Sequence, residues 1–204
     1  MNPYLTIASA SEAEIIEKKS RFTARVSHVA SESEALAFIE GVKNFNREAS
    51  HNVYAFRVGI DMIYEKYSDA GEPSGTAGLP VLSVLKKENL TNAAVVVTRI
   101  FGGILLGAGG LARAYAAACK AGIDAAGIKL MRATLLFTAA VSYAHVGRLQ
   151  RDESRGYIIR DVIYSERAEF VLHSYAEDAD GVIKYILDFT NGTAEIIKKE
   201  MFYS

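Results

Sequence analysis

Ala93-Ala94-Val95-Val96-Val97-Thr98-Arg99-Ile100-Phe101-Gly102-Gly103-Ile104-Leu105-Leu106-Gly107-Ala108-Gly109-Gly110-Leu111-Ala112-Arg113 is the stretch from which the fold is most directly read. Its first five residues are apolar at every position, the pattern of a central strand covered on both faces. Glycines follow, and then an alanine-rich helix from Leu111 to Ala126 that Gly127 ends. This order places unpaired backbone amides at a helix start, where they carry partial positive charge and where glycines let a phosphate approach the backbone. Gly102, Gly103, Gly107, Gly109 and Gly110 are therefore candidate ligand-binding positions, with Arg99 and Arg113 able to add charge-assisted bonds. No Walker lysine follows the glycines, and Gly107-Ala108-Gly109 only loosely imitates a dinucleotide fingerprint. The same glycines would also let the helix pack closely on the sheet, and spacing alone leaves both roles open.

Upstream, Glu14 to Glu17 and Arg21 to Val26 read as strands. Ser31-Glu32-Ser33-Glu34 fits a capping box opening a helix with Ala35, Leu36, Phe38, Ile39 and Val42 on its apolar face. His51 to Val58 and Met62 to Tyr67 are further strands, and Pro80 sits where a first helical turn tolerates it, in a helix from Leu79 to Lys87. Between them lies another glycine-rich segment, the first of the two in chain order, Ser68 to Gly78. Its Ser68, Asp69, Glu72, Ser74 and Thr76 are candidate ligand groups or, in the simpler reading, turn and capping side chains.

Downstream, Ala133, Leu135, Phe137, Ala139 and Val141 alternate as one strand face, and Ala144 to Glu153 reads as helical. Strands Tyr157 to Tyr164 and Ala168 to Tyr175, a helix Ala179 to Phe189 and a strand Thr193 to Phe202 complete βαββαβ. That order is the ferredoxin-like split βαβ arrangement. The expected division is 1–128 and 129–204, in an α+β chain of 204 residues, half of them apolar.

The 23 basic and 24 acidic residues nearly cancel, so no bulk field draws in nucleic acid or an anionic membrane, and any polyanion contact must be local. The single cysteine, Cys119, lies among alanines and reads as buried; one cysteine excludes an intrachain disulfide. No signal peptide or membrane span is apparent, so the expected location is the cytoplasm, with no membrane partner. Scattered histidines, His28, His51, His145 and His173, lack metal-ligand spacing; no metal or cofactor is expected, and no residue is assigned a catalytic role. His51 is the one beside the loop region and joins the candidate site. Arg148, Arg151 and Arg155 recur at helical spacing as a secondary basic stripe, although Asp152 and Glu153 interrupt it.

Read together, Ser68 to Pro80 and Val96 to Tyr115 closely resemble the signatures of the IMPACT family, and Lys19-Ser20-Arg21-Phe22 and Ala49-Ser50-His51-Asn52-Val53-Tyr54-Ala55 are similar to it as well. The resemblance covers about the first 125 residues, one domain's worth. It implies an N-terminal ribosomal-protein-S5-domain-2-like α/β domain followed by a ferredoxin-like domain resembling one of elongation factor G. Eukaryotic members modulate translation with an added N-terminal domain that has no counterpart here, so that role is not carried over. What the resemblance implies is a translation-associated regulatory or binding protein contacting RNA, the ribosome or a translation partner. The rival expectation is an enzyme or sensor of a small phosphorylated metabolite or nucleotide. A protein-binding adaptor is a third, which exposure of Phe101, Ile104 and Leu105 would favour. The family usually has two aspartates before Gly-Glu-Pro where this chain has Asp69-Ala70, so a mechanism needing both carboxylates fails here. Ile100 replaces the usual aromatic residue after Arg99, leaving Phe101 beside it.

Overall fold

A computed structural model describes residues 2–46, 49 and 51–204. Along the chain come β1 (Tyr4–Ile7), β2 (Ser11–Glu17), β3 (Ser20–His28), α1 (Glu32–Phe45), β4 (His51–Val58), β5 (Tyr64–Ser68), α2 (Gly78–Lys87), β6 (Ala93–Ile100), α3 (Ala108–Ala126) and β7 (Ile128–Met131). There follow β8 (Ala133–Val141), α4 (Val146–Arg151), β9 (Tyr157–Tyr164), β10 (Ala168–Tyr175), α5 (Ala176–Phe189) and β11 (Glu195–Tyr203). These mixed α and β elements fall into two units, Tyr4–Leu130 and Met131–Ser204, the latter joined by residues 2 and 3.

In the first unit β6 is the middle of an antiparallel sheet ordered β2-β3-β6-β4-β5. Its apolar run has two audiences. Val95 and Val97 pack with Val81 and Leu85 of α2 and Leu111, Tyr115 and Ile123 of α3, whereas Ala94 and Val96 pack with Ala35, Ile39 and Val42 of α1. Helices thus cover both sheet faces at β6, which is why no position of the run tolerates a charge. α3 sits tightly on β3: a Cβ on Gly122 would lie 3.0 Å from that of Ala24. Phe22 of β3 meets Tyr115 of α3 edge to face, ring centres 5.1 Å apart. Cys119 is fully buried on the same helix, its thiol facing the Val81 carbonyl, and burial pushes its pKa far up.

Ser31 caps α1 as expected, Glu34 N–H donating to Ser31 Oγ at 3.2 Å, while the Glu34 carboxylate reaches one residue beyond the cap and accepts the Ala30 amide at 2.8 Å. Several elements differ from the sequence expectation. α3 begins at Ala108, so Gly109 and Gly110 lie within its first turn; Gly107, at φ +73°, turns the chain and its carbonyl accepts the Leu111 amide at 2.9 Å. β5 starts at Tyr64, leaving Met62 exposed in the preceding turn. The short β1 and β7, which form a two-stranded sheet, had no sequence signal beyond their apolar residues.

The second unit has an antiparallel sheet ordered β11-β8-β10-β9. Leu135, Phe137, Ala139 and Val141 of β8 face Val182 and Ile186 of α5 and Leu149 of α4 in one core. The helix expected over Ala144 to Glu153 is only α4, flanked by the 3-10 turns Tyr143–His145 and Glu153–Arg155. No described helix is long and apolar enough to cross a membrane.

Candidate functional site

The first glycine-rich segment turns its polar groups inward. Asp69 accepts the Gly75 amide at 2.8 Å through one carboxylate oxygen, and the Ala77 and Gly78 amides at 3.0 and 2.8 Å through the other. It thereby caps α2 from nine residues away, in place of the Ala77 at the cap position, which has no acceptor. Burial alone would raise the Asp69 carboxyl; these three amides hold it below its ordinary value. Ser68 Oγ accepts the Ala70 amide, and Thr76 donates to the Pro73 carbonyl at 2.6 Å. Ser74 alone of the segment's candidate side chains is exposed. Ala70, where the resemblance implies a second aspartate, has φ +48°.

Glu72 is the centre of a buried hub. Its Oε1 accepts Arg99 Nη1 at 2.7 Å and the Tyr115 hydroxyl at 2.7 Å, and the Arg99 and Glu72 side chains are 7% and 4% exposed. Arg99 Nη2 reaches Ser20 Oγ at 3.5 Å, and the guanidinium lies between Phe22 and Phe101, 5.4 Å from each ring centre. Its Nε is buried without a partner. Burial first, and then the hydrogen bond to Glu72, drive the Tyr115 hydroxyl well above the ordinary tyrosine range, so it is a fixed donor.

The second segment faces outward. Gly102 is pinned: its amide donates to Ser20 Oγ at 3.1 Å, and a Cβ there would stand 2.0 Å from the Lys19 carbonyl carbon. Beyond it the chain opens, with Phe101 46%, Ile104 41% and Leu105 82% exposed. No side chain caps the start of α3. A Cβ on Gly109 would lie 3.5 Å from Arg113 Nη1, so the exposed Arg113 guanidinium hangs beside that uncapped first turn. Gly103 is exposed, and Gly110 packs on Leu106.

Between the two segments is a cleft of about 480 Å³, walled by His51, Glu72, Arg99, Phe101, Leu105 and Gly107, among others. His51 Nδ1 lies 2.9 Å from the Ala70 carbonyl oxygen. A carbonyl only accepts, so Nδ1 carries the proton and, in the neutral ring, Nε2 holds a lone pair. Across Leu106 a smaller cavity of about 280 Å³ is lined by Lys18, Gly110 and Arg113. Among the described residues no cluster of three or more His, Cys, Asp or Glu could hold a metal ion.

The structure thus brings His51, Glu72, Arg99 and Gly107 to one cleft, with Gly109 and Arg113 at the neighbouring helix start, while Asp69 and Thr76 are spent on the backbone. Arg148, Arg151 and Arg155 belong to the other unit. Arg148 pairs with Asp152 at 3.6 Å and lies over Phe189, and Arg155 lies over Tyr185, so much of that stripe is engaged by its own unit. Sequence reading missed Ser20, Phe22 and Tyr115 as members of the hub and Ala70 as the anchor of His51. All four stand inside the motifs quoted for the family resemblance, which was the available signal.

Comparison with known proteins follows the same residues. The family model described as Impact N-terminal domain matches residues 18–123. The protein named IMPACT family member YvyE, from Bacillus subtilis, is 38% identical over 208 residues, covering 100% of this chain and 94% of that protein. IMPACT family member YigZ, from Escherichia coli, is 30% identical over 188 residues, 90% of this chain and 91% of that one. A solved structure described only as the crystal structure of an hypothetical protein superposes with a TM-score of 0.64 at 27% identity, covering 98% of each chain.

Proposed function

Because the chain belongs to the IMPACT family, we propose that it is a translation-associated regulatory or binding protein that contacts RNA, the ribosome or a translation partner through its second glycine-rich segment. The observation that carries this reading is the contrast in satisfaction. The start of α2 is capped by Asp69, whereas the start of α3 is uncapped, flanked by Arg113 and fronted by the exposed Phe101, Ile104 and Leu105. An uncapped helix start beside a cation suits an anionic group, and exposed apolar residues suit a macromolecular surface. Elsewhere many cations are already neutralised, as in Arg21–Glu14, Arg25–Glu12 and Arg57–Glu65, which fits a local rather than a diffuse contact.

We read the first unit as the ribosomal-protein-like domain and the second as a ferredoxin-like domain, with the division near residue 128. Support for the latter is the sheet order β11-β8-β10-β9, which in the unit's own strand numbers is 4-1-3-2. The test is ribosome fractionation of cell lysate. Native protein is expected in ribosomal or RNA-bearing fractions in a salt-dependent manner, and Arg113→Ala and Leu105→Ser are expected to leave them. Absence of the native protein from those fractions even at low salt overturns the reading.

A second reading, an enzyme or sensor of a small phosphorylated metabolite, is favoured by the cleft and by His51 with its free Nε2. A thermal-shift screen of phosphate esters addresses it: a ligand at ~100 times its Kd stabilises by about 2.7 kcal/mol. A flat screen with and without magnesium removes it.

A further inference from the structure

We propose that the cleft beside Phe101 holds one nucleotide unit, its base stacked on the Phe101 ring and its phosphate on the uncapped amides at the start of α3; this rests on the RNA contact read above but specifies what enters the cleft. Several observations converge. The Phe101 ring is backed on one side by the Arg99 guanidinium, itself fixed by Glu72, Ser20 and the ring of Phe22. It is therefore a braced planar platform, and nearly half its surface remains open to accept a second planar group. Leu105 and Leu111 line the same cleft with apolar surface, as a base's faces require.

His51 supplies the polar edge. Its Nδ1–H is committed to the Ala70 carbonyl, so the cleft-lining ring keeps Nε2 as an acceptor for a base N–H. Gly107 and Ala108 bring the uncapped end of α3 into the cleft wall. Arg99 also lines the cleft; its side chain is only 7% exposed, its charge is paired with Glu72, and its Nε has no hydrogen-bond partner. A volume of about 480 Å³ is in the range of small-ligand sites, roughly 300–1,000 Å³. An apolar peptide side chain would use the same wall but leave both the His51 acceptor and the α3 amides unmatched.

The ligand chemistry is shared by a free nucleotide and by an unpaired nucleotide of RNA, and the test separates the two. Full-length protein is titrated with AMP, inorganic phosphate, a fluorescently labelled adenosine decamer and the same decamer in a duplex, at low salt. AMP is expected to bind more tightly than phosphate, and the single-stranded decamer more tightly than the duplex. Phe101→Leu keeps the apolar bulk at an exposed position, and an unchanged Tm is the check that the variant folds. It is expected to weaken AMP and decamer by about tenfold, the size of one stacked base, while leaving phosphate unchanged. Binding of AMP alone assigns the free nucleotide, and binding of the decamer alone, still ring-dependent, assigns RNA.

The proposal is overturned if phosphate matches AMP, if Phe101→Leu is silent for both nucleotide probes, or if neither probe binds. Ribosome fractionation of the same protein reads the wider function separately. Retained ribosome association with a silent Phe101→Leu would remove the nucleotide site and leave the translation reading standing.

Discussion

The two glycine-rich segments of the first unit look alike as sequence and differ as structure. Ser68 to Gly78 folds its carboxylates onto its own backbone and onto Arg99 and Tyr115, whereas Ile100 to Gly107 leaves apolar side chains in solvent and a helix start without an acceptor. Glycine richness by itself reports only that the backbone approaches something or bends sharply. Whether that something is the protein's own interior or an outside partner depends on where the neighbouring polar groups are spent.

The sharpest way to break the contrast is Glu72→Ala, which leaves Arg99 buried without its counter-charge. Removing one partner of a buried pair costs about 3–5 kcal/mol, and the unfolding free energy read from denaturant titration should fall by that amount. Next, Gly102→Ala drives a Cβ into the Lys19 backbone and should cost about 1–3 kcal/mol in the same measurement. A cost near zero would mean that the second segment is not anchored to the β2–β3 turn. Asp69→Ala removes the α2 cap for about 0.5–2 kcal/mol.

That last deficit has a pH signature. The folded Asp69 carboxyl lies below its unfolded value, so its contribution is complete above the unfolded pKa of ~3.9 and is lost as the pH falls through the folded value. Stability curves of native protein and Asp69→Ala should therefore converge in acid, below about pH 4. Ala70→Gly should stabilise by roughly 0.5–1 kcal/mol, because glycine relieves a left-handed backbone at φ +48° while adding chain entropy. At the bottom of the scale, Leu105→Ser should shift stability by less than about 0.5 kcal/mol while abolishing partner binding.

Local patterns were legible wherever one residue's neighbours in sequence decide its state. The apolar run of β6 announced a strand covered on both sides, and Ser31 with Glu34 announced the start of α1. The start of α3 was misread by three residues because Gly109 and Gly110 look like loop and are held helical by the turn at Gly107. The hub was not legible from spacing at all. Glu72 meets Arg99 and Tyr115 from 27 and 43 residues away, and Ser20 meets Arg99 from 79. Tyr115 in an alanine-rich helix reads as apolar filler, and only the fold reveals its hydroxyl on Glu72. Asp69 and Glu72 stand three residues apart among the candidate ligand groups of one segment, yet in the fold Asp69 serves the α2 amides and Glu72 the interior.

Cys119 gives the first unit an intrinsic clock. Its thiol is sealed against the Val81 carbonyl between α2 and α3 and, held protonated by burial, is a poor nucleophile while that seam is shut. Alkylation therefore proceeds only through openings that part the two helices, the same helices whose starts carry the capped and the uncapped termini. With one thiol in the chain, the labelling rate needs no engineered probe. It reports how often the scaffold beneath the cleft comes undone, and how far an occupant of the cleft slows that event.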